Sequence, residues 1–213
     1  AMTFGFDSAI QVVAESLDRL HTTAESHSRI MVLEVMGRHA GWIALYGGIG
    51  GGASSILIPE IPFCHERVAE AILQREEHGF HSSLVVVAEG AVEVGGGLVV
   101  EDAGTGGEFR LGGIGDQVAG KLSQLTGKET RCTRLGHLQR GGSPTCLDRV
   151  LGMRFGVKAV NLIEEKRFGR MVSYQQYHVG SVTIEDAVRK LNLVDPEGEV
   201  VAAAKAIGIC FGD

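Results

Sequence analysis

Two hydrophobic rhythms alternate along this chain. Short apolar runs at Ile30–Met36, Ser55–Ile58 and Leu84–Ala88 are too brief for helices and end at turn-forming residues, which predicts buried strands. Between them, apolar positions recur every three or four residues. Ile10, Val13, Ala14 and Leu17 predict a helix over Gly5–Leu20, after which His21–His27 is polar and loop-like. Val68, Ala71 and Ile72 predict an amphipathic helix over His65–Gly79, with Gly79 as its C-terminal cap. Ala40–Gly50 reads as a helix of small residues, and Val118, Leu122 and Leu125 mark another over Gly115–Leu125.

Further on, Thr130–Leu135 reads as a strand and Gly136–Pro144 as a glycine-rich loop. Leu147–Glu164 is a long helix, Met171–Tyr174 a short strand, and Ile184–Leu191 and Glu199–Ala206 are helices. Glu93–Arg110 reads as loop, with room for a hairpin strand at Leu98–Val100. Buried strands alternating with helices imply an α/β fold: three layers, with a mostly parallel sheet and helices on both faces.

Composition narrows the function classes. The 213 residues suffice for one large or two small domains. A net charge of −6 argues against a nucleic-acid partner. No apolar run reaches the roughly 18 residues of a membrane span, so no membrane partner is expected. Cys64, Cys132, Cys146 and Cys210 form no Cys-x-x-Cys pair and fit free thiols in a cytoplasmic protein. The spacing of His21, His27, His39, His65, His78, His81 and His178 is not that of metal ligands.

Two glycine patterns imitate nucleotide motifs. Gly48-x-Gly50-x-x-Ala53 follows a helix and precedes a strand, the reverse of a dinucleotide fingerprint. Gly115-x-x-x-x-Gly120-Lys121 continues with Leu122 where a phosphate loop needs Ser or Thr, and it has helical periodicity.

The chemistry gathers at strand ends. Gly37 and Arg38 stand where the strand from Ile30 gives way to a helix. A glycine there admits a ligand close to the backbone, and free N–H groups beside an arginine favour an anion. A plain turn with a solvated Arg38 fits these residues equally well. The stretch RCTRLGHLQRGGSP, Arg131–Pro144, is richer: Arg131, Arg134, His137 and Arg140 fall within ten residues of an acidic protein. Guanidinium forks match phosphate oxygens, so this stretch suggests an anion hole. Alternation sends Arg131, Thr133 and Leu135 to one face and Cys132 and Arg134 to the other. Glu89, closing the strand Leu84–Ala88, either accepts from sugar hydroxyls or caps the loop after it.

Taken together, TFGFDSA (Thr3–Ala9), SRIMVLEVMGRHAGW (Ser28–Trp42), AEG (Ala88–Gly90) and RLGHLQRGGSPTCLDR (Arg134–Arg149) resemble the 6-phosphofructokinase family in order and spacing. More narrowly, the resemblance is to a subgroup with ATP- and pyrophosphate-dependent members. It implies a fructose 6-phosphate site for phosphoryl transfer to O1 in glycolysis. On this resemblance His137 holds the 6-phosphate, Arg140 lies near the sugar, and Met36, Gly37 and Glu89 hold the sugar. Arg38 takes a catalytic role, steadying charge on the transferring group. Arg29 and Arg131 reach the 6-phosphate in a neighbouring subunit, so a homo-oligomer is expected.

The family's catalytic aspartate lies in a Thr-Ile-Asp-Asn-Asp run that is absent from these residues. The resemblance therefore implies the C-terminal part of such an enzyme, an incomplete version of the family's two-domain fold, inactive alone. Mg2+ is expected to come with the phosphoryl donor, ATP or pyrophosphate, and no metal ligand or cofactor is expected within this chain. Residues 3–138 with about 191–213 would form the sugar-phosphate-binding domain, and about 139–190 would pack on the donor domain. Val150, Leu151, Val157, Val160, Leu162 and Ile163 would then be left uncovered. A different class also fits: a non-catalytic sugar-phosphate sensor or regulatory subunit.

Overall fold

The computed structural model describes residues 2–103 and 109–213. In chain order the elements are α1 (Phe6–His27), β1 (Ile30–Val35), α2 (Trp42–Gly50), β2 (Ser55–Leu57), α3 (His65–Glu77), β3 (Ser83–Ala88), β4 (Val100–Ala103) and β5 (Phe109–Leu111). They continue with α4 (Ile114–Thr126), β6 (Thr130–Arg134), a 3-10 turn (Gly136–Arg140), α5 (Cys146–Glu164), β7 (Arg170–Gln175), β8 (His178–Thr183), α6 (Ile184–Val188) and α7 (Glu199–Ala206).

The chain divides into two compact units. One holds the N-terminal residues through Ala9 together with Gly142–Asn192, and the other holds Ile10–Gly141 with Leu193–Asp213. The larger unit is built on a four-stranded, wholly parallel sheet in the order β2-β3-β1-β6. Strand alternation sorts its core into two halves. Met31, Leu33, Val35, Leu84, Val86 and Ala88 pack with Val13 and Leu17 of α1 and Ala44 and Leu45 of α2. Ile30, Val32, Val85 and Val87 face the other way, against Val68 and Ile72 of α3 and Val118 and Leu122 of α4. Both faces of β1 and β3 are covered, which is why their sequences read as near-continuous apolar runs, broken in β1 only by Glu34. This is the layered α/β arrangement expected from the sequence.

Several local expectations are corrected. His21–His27 is not a loop; α1 runs on to His27, with Ala24 fully buried. The loop after Glu93 contains the antiparallel pair β4–β5, beginning at Val100 rather than Leu98. Residues 104–108 of that loop lie outside the described residues. Gly79 directly follows the capping residue His78 and takes a left-handed φ of +89°.

In the smaller unit, Met171–Tyr174 does not stand alone but belongs to the antiparallel hairpin β7–β8. The helix expected over Ile184–Leu191 closes at Val188. In α5, Leu151 and Leu162 are buried while Val150, Val157, Val160 and Ile163 are more than half exposed. Two motif stretches far apart in the chain interlock here. The Asp148 carboxylate accepts from the N–H groups of Gly5 and Ser8, both at 2.7 Å, at the start of α1, and from the Ser8 hydroxyl. Thr145, the N-cap of α5, accepts from Asp148 N–H and donates to Asp7 at 2.6 Å.

Candidate functional site

The connection from β1 leads to α2 on one face of the sheet, and that from β3 leads through β4 and β5 to α4 on the other. Ligand crevices in open α/β sheets form where connections diverge in this way. A cleft of about 260 Å³ opens there, at the carboxyl ends of β1, β3 and β6. It is lined by Glu34, Val35, Met36, Glu89, Leu111, Gly112, Arg134, Gly136 and His137.

The ends of β1 and β3 are fastened through backbone. Glu89 N–H donates to Val35 C=O at 2.9 Å, and Gly90 N–H to Gly37 C=O at 3.1 Å. A Cβ on Gly90 would lie 2.0 Å from the Arg38 carbonyl oxygen, so only glycine allows this approach. Gly37 has a φ of +155°, and its N–H faces a Glu89 carboxylate oxygen at 3.5 Å. Beyond β6 the 3-10 turn brings its own groups to the same place. Gln139 Oε1 accepts from Met36 N–H at 2.8 Å, and Arg140 Nε lies 3.3 Å from Met36 Sδ.

Met36, Gly37, Glu89, His137 and Arg140 are thus brought together. Arg38 is exposed, one residue beyond Gly37, and like Gly37 and Arg140 it is not among the cleft-lining residues; Arg140 reaches the site through its contact with Met36. Arg29 and Arg131 are elsewhere. They sit at the amino ends of β1 and β6, Arg131 level with Met31 two positions beyond Arg29, and both bind Glu129: Arg29 Nε at 2.7 Å and Arg131 Nη2 at 2.7 Å. Those two guanidinium groups, Arg29 first, hold the Glu129 carboxyl below its usual range. β1 is six residues long, so Arg29, just before it, and Met36, just after it, are about 20 Å or more apart along the strand, while Arg131, level with Met31, is about 16 Å from the level of Met36. Arg134, counted with the basic cluster, lines the cleft but is paired with Asp116.

Three residues escape a reading of the sequence alone. Glu129 gives no signal, because its role depends on strand register. Gln139 lies inside the richest motif, yet only burial singles it out. Glu34 does leave a trace, as the one charged residue in an otherwise apolar strand. It is 6% exposed, and its carboxylate accepts from Gly115 N–H at 2.7 Å and Gly113 N–H at 3.1 Å, closing the amino end of α4.

Burial pushes the Glu34 carboxyl above its ordinary value of 4.5, opposed by the Gly115 N–H, the Arg134 guanidinium and the Gly113 N–H. The folded state therefore favours the protonated form. The group's contribution to stability is full below the unfolded value and is lost as pH rises through the folded one. The stability of the chain relative to Glu34→Gln, read from urea melts, is expected to fall as pH rises above 4.5 and then level off. A difference independent of pH would contradict this. Beside it, burial pushes the Cys132 thiol up to about 12, so no thiolate forms there at neutral pH.

The family model for phosphofructokinase matches residues 1–163. An ATP-dependent 6-phosphofructokinase of Chloroflexus aurantiacus is 51% identical over 211 residues, covering 99% of this chain and 58% of its own. A pyrophosphate–fructose 6-phosphate 1-phosphotransferase of Amycolatopsis methanolica is 48% identical over 197 residues, covering 92% and 58%. The solved structure of phosphofructokinase from Saccharomyces cerevisiae superposes with a TM-score of 0.77 at 30% identity, over 97% of this chain and 25% of that one. The chain thus spans 58% of the length of these two curated relatives. Matched over three quarters of its length by the family model, and built on the parallel sheet that the alternation of strands and helices predicted, this chain belongs to the phosphofructokinase family.

Proposed function

We propose that this chain supplies the fructose 6-phosphate side of a phosphofructokinase reaction. The observation that carries the reading is the fastening of the His137–Arg140 turn onto Met36, beside Gly37 and Glu89, around one cleft. His137 and Arg140 would hold the 6-phosphate, while Met36, Gly37 and Glu89 would hold the sugar. Arg38 would face the negative charge that develops as the sugar O1 attacks the donor phosphorus and the bond to the leaving group breaks. Arg29 and Arg131, at the amino ends of β1 and β6, would serve the cleft of a second copy, which supports an oligomeric enzyme. Similar relatives include both ATP- and pyrophosphate-dependent enzymes, so either donor class is compatible with this chain. Four free thiols among the described residues favour a cytoplasmic setting.

Magnesium would enter with the donor. Among the described residues no group of three or more His, Cys, Asp or Glu side chains converges to hold a metal.

Titration calorimetry with fructose 6-phosphate tests the reading on the 213-residue chain and on its His137→Ala and Arg140→Ala variants. A charge-assisted hydrogen bond contributes about 1.5–3 kcal/mol, so each variant is expected to bind tenfold weaker or worse. Equal heats in all three would remove the proposed site. The same unmodified polypeptide is expected to transfer no phosphoryl group from ATP or pyrophosphate, since the family's Thr-Ile-Asp-Asn-Asp run is not among its residues. Turnover in a coupled assay would show that another group acts as base.

A further inference from the structure

We propose that Gln139 is a positioning residue of the cleft, setting the distance between the two phosphate-facing cations and the sugar-holding end of β1. The proposal rests on the sugar-phosphate reading above and deepens it.

A 3-10 turn has three residues per turn, so side chains at i and i+3 share a side. In Gly136–Arg140 that pairs His137 with Arg140, and both are exposed. Gln139 falls on another side of the turn and is 3% exposed. Its Oε1 accepts from Met36 N–H at 2.8 Å, the first N–H beyond the last residue of β1.

The other bonds of the turn do different work. Leu138 N–H to Leu135 C=O and Gly141 N–H to Leu138 C=O, both 3.1 Å, shape the turn internally and leave its placement on β1 open. Leu135 N–H to Glu34 C=O, also 3.1 Å, precedes the turn. The Arg140 contact to the Met36 thioether is weak by the nature of its acceptor. Placement therefore falls to the Gln139 amide.

The other half of that amide sharpens the point. Gln139 Nε2 is buried and has no hydrogen-bond partner among the described residues. An unpaired buried donor is unfavourable, and an apolar side chain of the same size would avoid it. What the amide supplies over such a side chain is Oε1, and Oε1 is on Met36.

A ligand that must touch both ends of the cleft depends on their separation, whereas one that touches only the cations does not. Gln139→Met keeps length and volume and removes the amide. It is expected to weaken fructose 6-phosphate binding about tenfold while leaving inorganic phosphate binding within about twofold. Equal losses for both ligands would mark general loosening and overturn the proposal, as would no loss for either.

Amide exchange at Met36 gives a readout independent of ligand. It should quicken in Gln139→Met and stay slow in Gln139→Glu, which keeps the accepting oxygen; unchanged exchange in the first, or quickened exchange in the second, would overturn the clamp. If the unmodified chain binds no fructose 6-phosphate, the functional reading fails by itself, and Met36 exchange still decides whether Gln139 fixes the turn.

Discussion

Asp148→Ala is expected to destabilise the smaller unit by about 3–5 kcal/mol. The side chain is 6% exposed and accepts from three donors at the start of α1: Gly5 N–H, Ser8 N–H and the Ser8 hydroxyl. The two N–H groups are backbone donors that a helix start cannot satisfy from within. Removing the carboxylate leaves them facing a small void. Each hydrogen bond to a charged group contributes about 1.5–3 kcal/mol, and water would recover part of that. Ser8 Oγ also accepts from Thr145 N–H at 3.0 Å, so disorder at α1 would reach the cap of α5. Single domains carry only about 5–15 kcal/mol in total, so the loss is a large fraction. Asp148→Asn keeps one accepting oxygen and should lose roughly half as much. Urea midpoints, with hydrogen exchange on Phe6–Ala9, measure both. A shift below about 1 kcal/mol for the alanine variant would mean that these donors find water at little cost.

Gly90→Ala should have the largest effect on the cleft. The added methyl would meet the Arg38 carbonyl oxygen at 2.0 Å, the Arg38 carbonyl carbon at 2.7 Å and the Gly37 carbonyl oxygen at 2.9 Å. All three are backbone atoms, which cannot rotate aside as a side chain can. Overpacking typically costs about 1–3 kcal/mol, and this contact belongs at or above the upper end. Relief requires the segment after β1 to move off β3. That breaks the Gly90–Gly37 backbone bond and carries Gly37 away from Glu89. We expect fructose 6-phosphate binding to fall below detection in calorimetry while the parallel strands remain folded by circular dichroism. Wild-type affinity in this variant would show that the junction moves without consequence for the ligand.

These effects separate what a reader of the sequence can extract from what needs the fold. The two central strands, β1 and β3, are legible because burial on both faces leaves a nearly continuous apolar signature. The tail of α1 was not. Its inward positions are filled by the small Ala24 among polar residues, and a polar helix surface looks like a loop. The hairpin β7–β8 was hidden for a different reason. Its turn uses Gln176 and Tyr177 at φ of 49° and 63°, where Asn and Gly would have announced a tight turn.

At the site, residues within contiguous motifs could be found, since their chemistry is written side by side. Glu129 could not, because it meets Arg29 a hundred positions away only through the register that sets Ile30 beside Thr130. The family resemblance named Arg29 and Arg131, but only the sheet reveals that they lie at the opposite end of β1 from His137.

That strand works as a ruler. Ile30 and Val32 point into one core, Met31, Leu33 and Val35 into the other, and Glu34 meets the start of α4. Deleting one residue between Arg29 and Met36 would swap the facing of those that follow and shorten the strand by about 3.3 Å. Both cores and the span from Glu129 to the cleft would go out of gauge in one step. Length variation should therefore be tolerated in the exposed stretch 93–98 between β3 and β4 and rejected within β1, an asymmetry that a library of single-codon deletions would expose directly.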